Sequence, residues 1–208
     1  MKPLFTIGHS NHSPEKFVEL LQIHGVTALA DVRSAPYSRY LPHFNKSALQ
    51  TYLQTSDIRY VFLGEELGAR PNNPICYVEG KAIYERIAAT ESFQKGITRL
   101  LKGVENHRIA LMCAEKDPIT CHRAVLVCQH LTPFNLEIGH IHSNGELEFH
   151  ENLEERILKL HGLQDSEPVN QLSLFQEDLV PILPRSERIR QAYLKQGEKI
   201  AYVEKDHD

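Results

Sequence analysis

The run Cys113-Ala114-Glu115-Lys116-Asp117-Pro118-Ile119-Thr120-Cys121-His122-Arg123 places two thiols, a carboxylate, an imidazole and a guanidinium in one short stretch. Cys121 is the residue best suited to nucleophilic attack. A following helix N-terminus, His122 and Arg123 all favour its thiolate over its thiol. The competing reading is a small buried side chain, a common fate of cysteine. Cys113 reads first as core, with a resolving thiol or a metal ligand as alternatives. Glu115 suits general acid–base work, or simply sits near backbone N–H groups at a helix start. Cys128 falls inside the helix and reads as packing, and Cys76 carries no reading.

The flanking sequence must position these groups. Residues 109–112 are apolar and read as a buried strand, and 124–131 read as a helix. Further strands are expected at 4–8, 26–32, 59–63 and 136–142. Helices are expected from Pro14, capped by Ser13, to about His24, from Asn45 to about Thr55, and over 80–89, 91–103 and 151–161. Residues 64–78 read as a long connection, and Asn144-Gly145 as a hairpin turn. Alternating strands and helices predict an α/β fold: a three-layer sandwich with a mainly parallel central sheet of about five strands. Residues 1–162 read as that domain, and 163–208 as a linker and C-terminal tail.

In a parallel sheet all strands end on one edge, where ligands bind. Three predicted strand ends are rich in reactive groups. His9, Ser10 and Asn11 follow the first, Asp31 and Arg33 the second, and the cysteine run the fourth. Asp31 orients Arg33 or His9, or caps a turn. The loop after Arg33 holds Tyr37, Arg39 and Tyr40 and no acidic residue through Lys46. Basic and aromatic side chains together suit phosphate contact and base stacking; the alternative is an ordinary loop whose rings dock on the core. His9, Ser10, Asn11, Asp31, Arg33, Tyr37, Arg39 and Arg123 form the expected phosphate or substrate set. Cys121, Glu115, Cys113 and His122 form the expected catalytic set. A metal held by Cys113, Cys121, His122 and His9 ranks lower, because seven residues separate the cysteines, outside the usual C-x₂₋₄-C spacing. No metal is therefore expected, and no cofactor is implied.

The chain has 208 residues, 41% of them apolar, and a formal charge of −4, which argues against broad nucleic-acid binding through its own surface. No apolar run approaches the roughly 20 residues of a membrane span. No signal peptide is evident, and four scattered cysteines are too few for a secreted disulfide scaffold. A cytoplasmic protein with reduced thiols and no membrane partner is expected.

Gly8-His9-Ser10-Asn11, Asp31-Val32-Arg33 with Pro36 and Ser38, Leu67-Gly68, and Cys113-Ala114-Glu115 with Pro118 and Cys121-His122-Arg123 jointly resemble the bacterial and archaeal domain-of-unknown-function family 488. The likeness covers roughly residues 4–160, with Ala69 where many members carry another glycine. It implies a compact α/β domain with a cysteine-containing site. In the tail, Gln171-Leu172-Ser173-Leu174-Phe175 resembles the peptide that binds the bacterial DNA sliding clamp. Such a peptide binds in extended form, with Leu174 and Phe175 in an apolar pocket; the alternative is a segment packed back on the domain. Together these features predict a DNA-associated enzyme acting on a nucleotide or nucleic acid. A thiol-redox or sulfur-transfer enzyme and a non-enzymatic phosphate-binding module are the alternatives.

Overall fold

The computed structural model describes residues 1–164 and 183–204, so the pentapeptide at 171–175 lies outside the described residues. The chain runs β1 (Lys2–Gly8), α1 (Pro14–Ile23), β2 (Ala28–Asp31), α2 (Lys46–Gln54), β3 (Arg59–Phe62) and α3 (Gly64–Leu67). It continues through β4 (Tyr77–Val78), β5 (Lys81–Ala82), α4 (Tyr84–Ala88), α5 (Glu91–Gly103) and β6 (Ile109–Cys113). A π-helical segment (Arg123–Val127), β7 (Leu136–Ile141), β8 (Leu147–Phe149), α6 (His150–Leu160) and α7 (Arg185–Ile200) complete it.

The central sheet has six strands in the order β3-β2-β6-β1-β7-β8, all parallel except the β7–β8 pair. It is the expected α/β fold, with one more strand than expected. Side chains alternate between its two faces, as the twofold repeat of a strand requires. Leu4, Ala30 and Leu111 pack on one side with α5 and the π-helical segment. Phe5, Ile7, Leu29 and Met112 pack on the other with α1 and α2. Ser13 caps α1 by accepting from the Lys16 amide, with Pro14 in the first turn.

Three local expectations are corrected. Residues 64–78 are no bare connection: they contain α3, a 3₁₀ turn at Pro74–Cys76 and β4. Helix does not begin at 80, because Glu79 and Gly80 both take positive φ (48° and 74°) and form the tight turn between β4 and β5. After the cysteine run, the chain winds as a π-helix and then a 3₁₀ turn at Cys128–His130, not as a regular α-helix. Every residue of the π segment is buried, including Arg123, and such wide turns often mark functional positions.

The C-terminal helix α7 is fastened to this unit by buried polar groups. Tyr193 Oη lies 3.0 Å from His150 Nε2, His150 Nδ1 lies 3.0 Å from His140 Nε2, and His140 Nδ1 lies 2.8 Å from Thr6 Oγ1. Gln196 donates to the Ile119 carbonyl at 2.6 Å. Burial pushes the His150 pKa down to about 4, and burial also holds His140 well below the usual imidazole value. Both rings are therefore neutral when folded, whereas in the unfolded chain they take up protons below about pH 6.5. Stability from this source is complete above that pH and falls as the pH drops toward 4. His150 alone should cost about 2 kcal/mol by pH 5. Urea titrations at pH 7.5 and 5 should show this loss, and a His150→Gln variant should flatten the slope. An equal slope in both proteins would exclude the His150 ring as its source.

Candidate functional site

β6, β1 and β2 bring their carboxyl ends together. Gly8 is in register with Cys113, and Asp31 with Met112. The β1–β6 pairing continues past the sheet: the His9 amide donates to the Cys113 carbonyl (2.8 Å) and the Ser10 amide to that of Ala114 (3.0 Å). Glycine is required at position 8 for this approach, since a Cβ there would lie 1.9 Å from the Glu115 carbonyl oxygen. The chain reverses its direction across the sheet around β1 and β6, where open α/β sheets leave a crevice.

The four expected catalytic side chains form one cluster. One donor atom from each of Cys113, Glu115, Cys121 and His122 lies within 4.8 Å of the others. Cys121 Sγ is 3.0 Å from Glu115 Oε2, and Cys113 Sγ is 3.6 Å from His122 Nδ1. His122 Nε2 lies 2.9 Å from the Val32 carbonyl, which can only accept, so Nε2 carries a proton and Nδ1 faces the thiols. The Arg123 amide donates to Cys121 Sγ at 3.5 Å.

These groups set one another's charge. Burial alone would raise the Cys121 pKa, but the hydrogen bond from Cys113 and the charges of Arg123 and His122 hold it well below the usual thiol range. Donating that hydrogen bond, together with burial, holds Cys113 well above that range. Burial, reinforced by the Cys121 charge, raises the Glu115 pKa. The short Cys121–Glu115 contact couples the two groups: negative charge on Cys121 favours the protonated form of Glu115.

A cavity of about 320 Å³ opens over this cluster. Cys113, Glu115 and His122 line its floor, with His9, Arg33, Tyr37, Arg70, Tyr84 and Tyr202 around the walls. Cys121 is only 1% exposed and lies beneath, so Cys113 rather than Cys121 meets the space directly. His9 stacks on Phe44, its ring centroid 4.4 Å away, and its buried Nε2 has no hydrogen-bond partner among the described residues. Burial pushes the His9 pKa down to about 4, so the ring is neutral. Arg33 is held by Asp31 through Nε (2.9 Å) and Nη2 (2.6 Å), and by the Phe44 carbonyl (2.8 Å). Its Nη1 makes no hydrogen bond to a described residue.

Several expected ligand-binding residues stand elsewhere. Arg123 is fully buried below the site, donating to the Glu115 carbonyl (2.7 Å), the Lys116 carbonyl (3.2 Å) and Thr6 Oγ1 (3.4 Å). It holds the cysteine loop and does not line the cavity. Asp31 is also fully buried and serves Arg33 and Tyr60. Ser10, Asn11 and Arg39 do not line the cavity. The sequence reading missed Ser34, Arg70, Tyr84 and Tyr202. Arg70 stacks on Tyr202 at 4.3 Å, and Tyr202 arrives only because the chain returns after α7, with the Ala82 amide donating to its carbonyl. No local pattern announces such a contact.

The fold and cavity define an α/β protein with a cysteine-containing site at the carboxyl edge of its sheet. Residues 13–129, more than half the chain, match the family described as Domain of unknown function DUF488, and the chain belongs to that family. No curated protein and no solved structure matches it. Among the described residues, no helix is long and apolar enough to cross a membrane.

Proposed function

We propose that the chain is a DNA-associated enzyme that takes a nucleotide, or one end of a nucleic-acid strand, into this cavity. The observation that carries the reading is the pairing of two guanidinium groups, Arg33 and Arg70, with a floor of Cys113, Glu115 and His122. Guanidinium donors suit phosphate oxygens. Tyr37, 70% exposed, offers a ring for base stacking beside them. The volume lies at the lower end of the roughly 300–1,000 Å³ usual for ligand pockets, which favours one nucleotide over a duplex. The reactive groups are those of the cysteine and acid–base cluster. Delivery to DNA by the bacterial sliding clamp rests on the sequence of residues 171–175 alone. A second reading, thiol-redox or sulfur-transfer chemistry, is favoured by the presence of both Cys113 and Cys121 sulfur atoms in the cluster.

Calorimetric titration with nucleoside 5′-monophosphates and short single-stranded oligonucleotides tests the substrate. Arg70→Ala should weaken binding about tenfold, the worth of one charge-assisted hydrogen bond. An affinity indifferent to Arg70, or no binding at all, would remove the reading. In parallel, titration against purified clamp should show binding that Leu174→Ala with Phe175→Ala abolishes; unchanged binding would remove the recruitment.

A further inference from the structure

We infer that Cys113, Cys121, His122 and Glu115 form a binding site for a zinc-class divalent cation. With an ion bound the donors are two thiolates, an imidazole and a carboxylate, Cys113 giving up its proton to solvent, and that set suits a borderline-soft ion. Zinc distances of about 2.0–2.3 Å place tetrahedral donors roughly 3.3–3.8 Å apart. Here the Cys113 Sγ–His122 Nδ1 separation is 3.6 Å and the Cys121 Sγ–Glu115 Oε2 separation is 3.0 Å, with all four donors inside 4.8 Å. An ion therefore fits with small side-chain shifts.

The surroundings match the same use. A metal-binding imidazole commonly donates its other nitrogen to a carbonyl, which fixes the ring, and His122 Nε2 does so to Val32. The Arg123 amide points at Cys121 Sγ. Charge also closes. Two thiolates and a carboxylate carry three negative charges, a divalent ion leaves one, and the fully buried Arg123 guanidinium offsets it. The seven-residue gap between the cysteines is no obstacle in the fold. One cysteine ends β6, the other precedes the π-helical segment, and Arg123 ties the intervening loop back by its Glu115 and Lys116 carbonyls. Glu115 is the most exposed residue of the four and lines the cavity while its carboxyl group turns in onto Cys121, so an ion held here faces whatever the cavity admits.

The inference goes beyond the substrate reading and is tested without it. The full-length, reduced chain is loaded with Zn²⁺ or Co²⁺, desalted, and its metal content measured. One equivalent per chain is expected. The Co²⁺ form should show near-ultraviolet sulfur-to-cobalt charge transfer for two thiolates and the visible bands of a tetrahedral ion. Cys113→Ser and Cys121→Ser should each weaken binding at least tenfold, whereas Cys128→Ser should bind as the parent does. Should the variants not fold, the parent's cobalt spectrum decides alone. Substoichiometric metal, a spectrum without thiolate bands, or full retention in a folded Cys121→Ser variant would overturn the site.

Discussion

Asp31→Ala should destabilise the protein by about 3–5 kcal/mol, the usual cost of removing one partner of a buried ion pair. Asp31 is fully buried and accepts from Arg33 three times, through Nε, Nη2 and the backbone amide, and from Tyr60 Oη at 2.7 Å. Arg33 is itself only 6% exposed, so the variant leaves a guanidinium and a phenol without their acceptor in a poorly solvated place. The Phe44 carbonyl remains for Nη2 and limits the loss without cancelling it. The pair need not stabilise the fold as a unit, because both charges were desolvated to make it. The double variant Asp31→Ala with Arg33→Met should therefore recover part of the stability. Urea unfolding of the single and double variants measures this. A loss below about 1 kcal/mol in the single variant, or a double variant no better than it, would show that the pair is not buried as described.

Arg123→Met should cost about 3 kcal/mol and should loosen residues 114–117. Methionine replaces the apolar stem, so the change isolates the guanidinium. Two backbone carbonyls and a threonine hydroxyl lose a donor, and each unsatisfied buried acceptor costs about 1–3 kcal/mol. Because these carbonyls belong to Glu115 and Lys116, the damage falls on the loop that holds Glu115 against Cys121. Faster amide hydrogen exchange at 114–117 than in β7 would separate this local loosening from general destabilisation. Unchanged exchange there would argue that Arg123 does not hold the loop.

The architecture was legible because it depends on local periodicity. The apolar runs around Leu4, Leu29 and Leu111 and the cap at Ser13 are statements about neighbours in sequence, and parallel pairing then aligns the strand ends. Hence Cys113, Glu115, Cys121 and His122 were named together from the sequence and lie together in space. What the sequence hid is which way a side chain turns. Arg33 and Arg123 look alike in a list of basic residues. The first lines the cavity with its guanidinium held by Asp31, and the second faces inward onto carbonyls. The π-helical winding was equally hidden, since helix periodicity does not distinguish it from an α-turn when every residue is buried. Tyr202 and Arg70 meet through a long return of the chain, and nothing near either residue records the other.

That return separates the cavity's construction into two strata. The floor, at Cys113 to His122, falls within the stretch that matches the family, whereas Ile200 and Tyr202 in the wall come from beyond it. One section of the wall is thus written outside the family stretch, while Arg33, Tyr37, Arg70 and Tyr84 lie within it. Substitutions around residues 200–202 would alter this section of the wall and leave the thiols and imidazole of the floor in place.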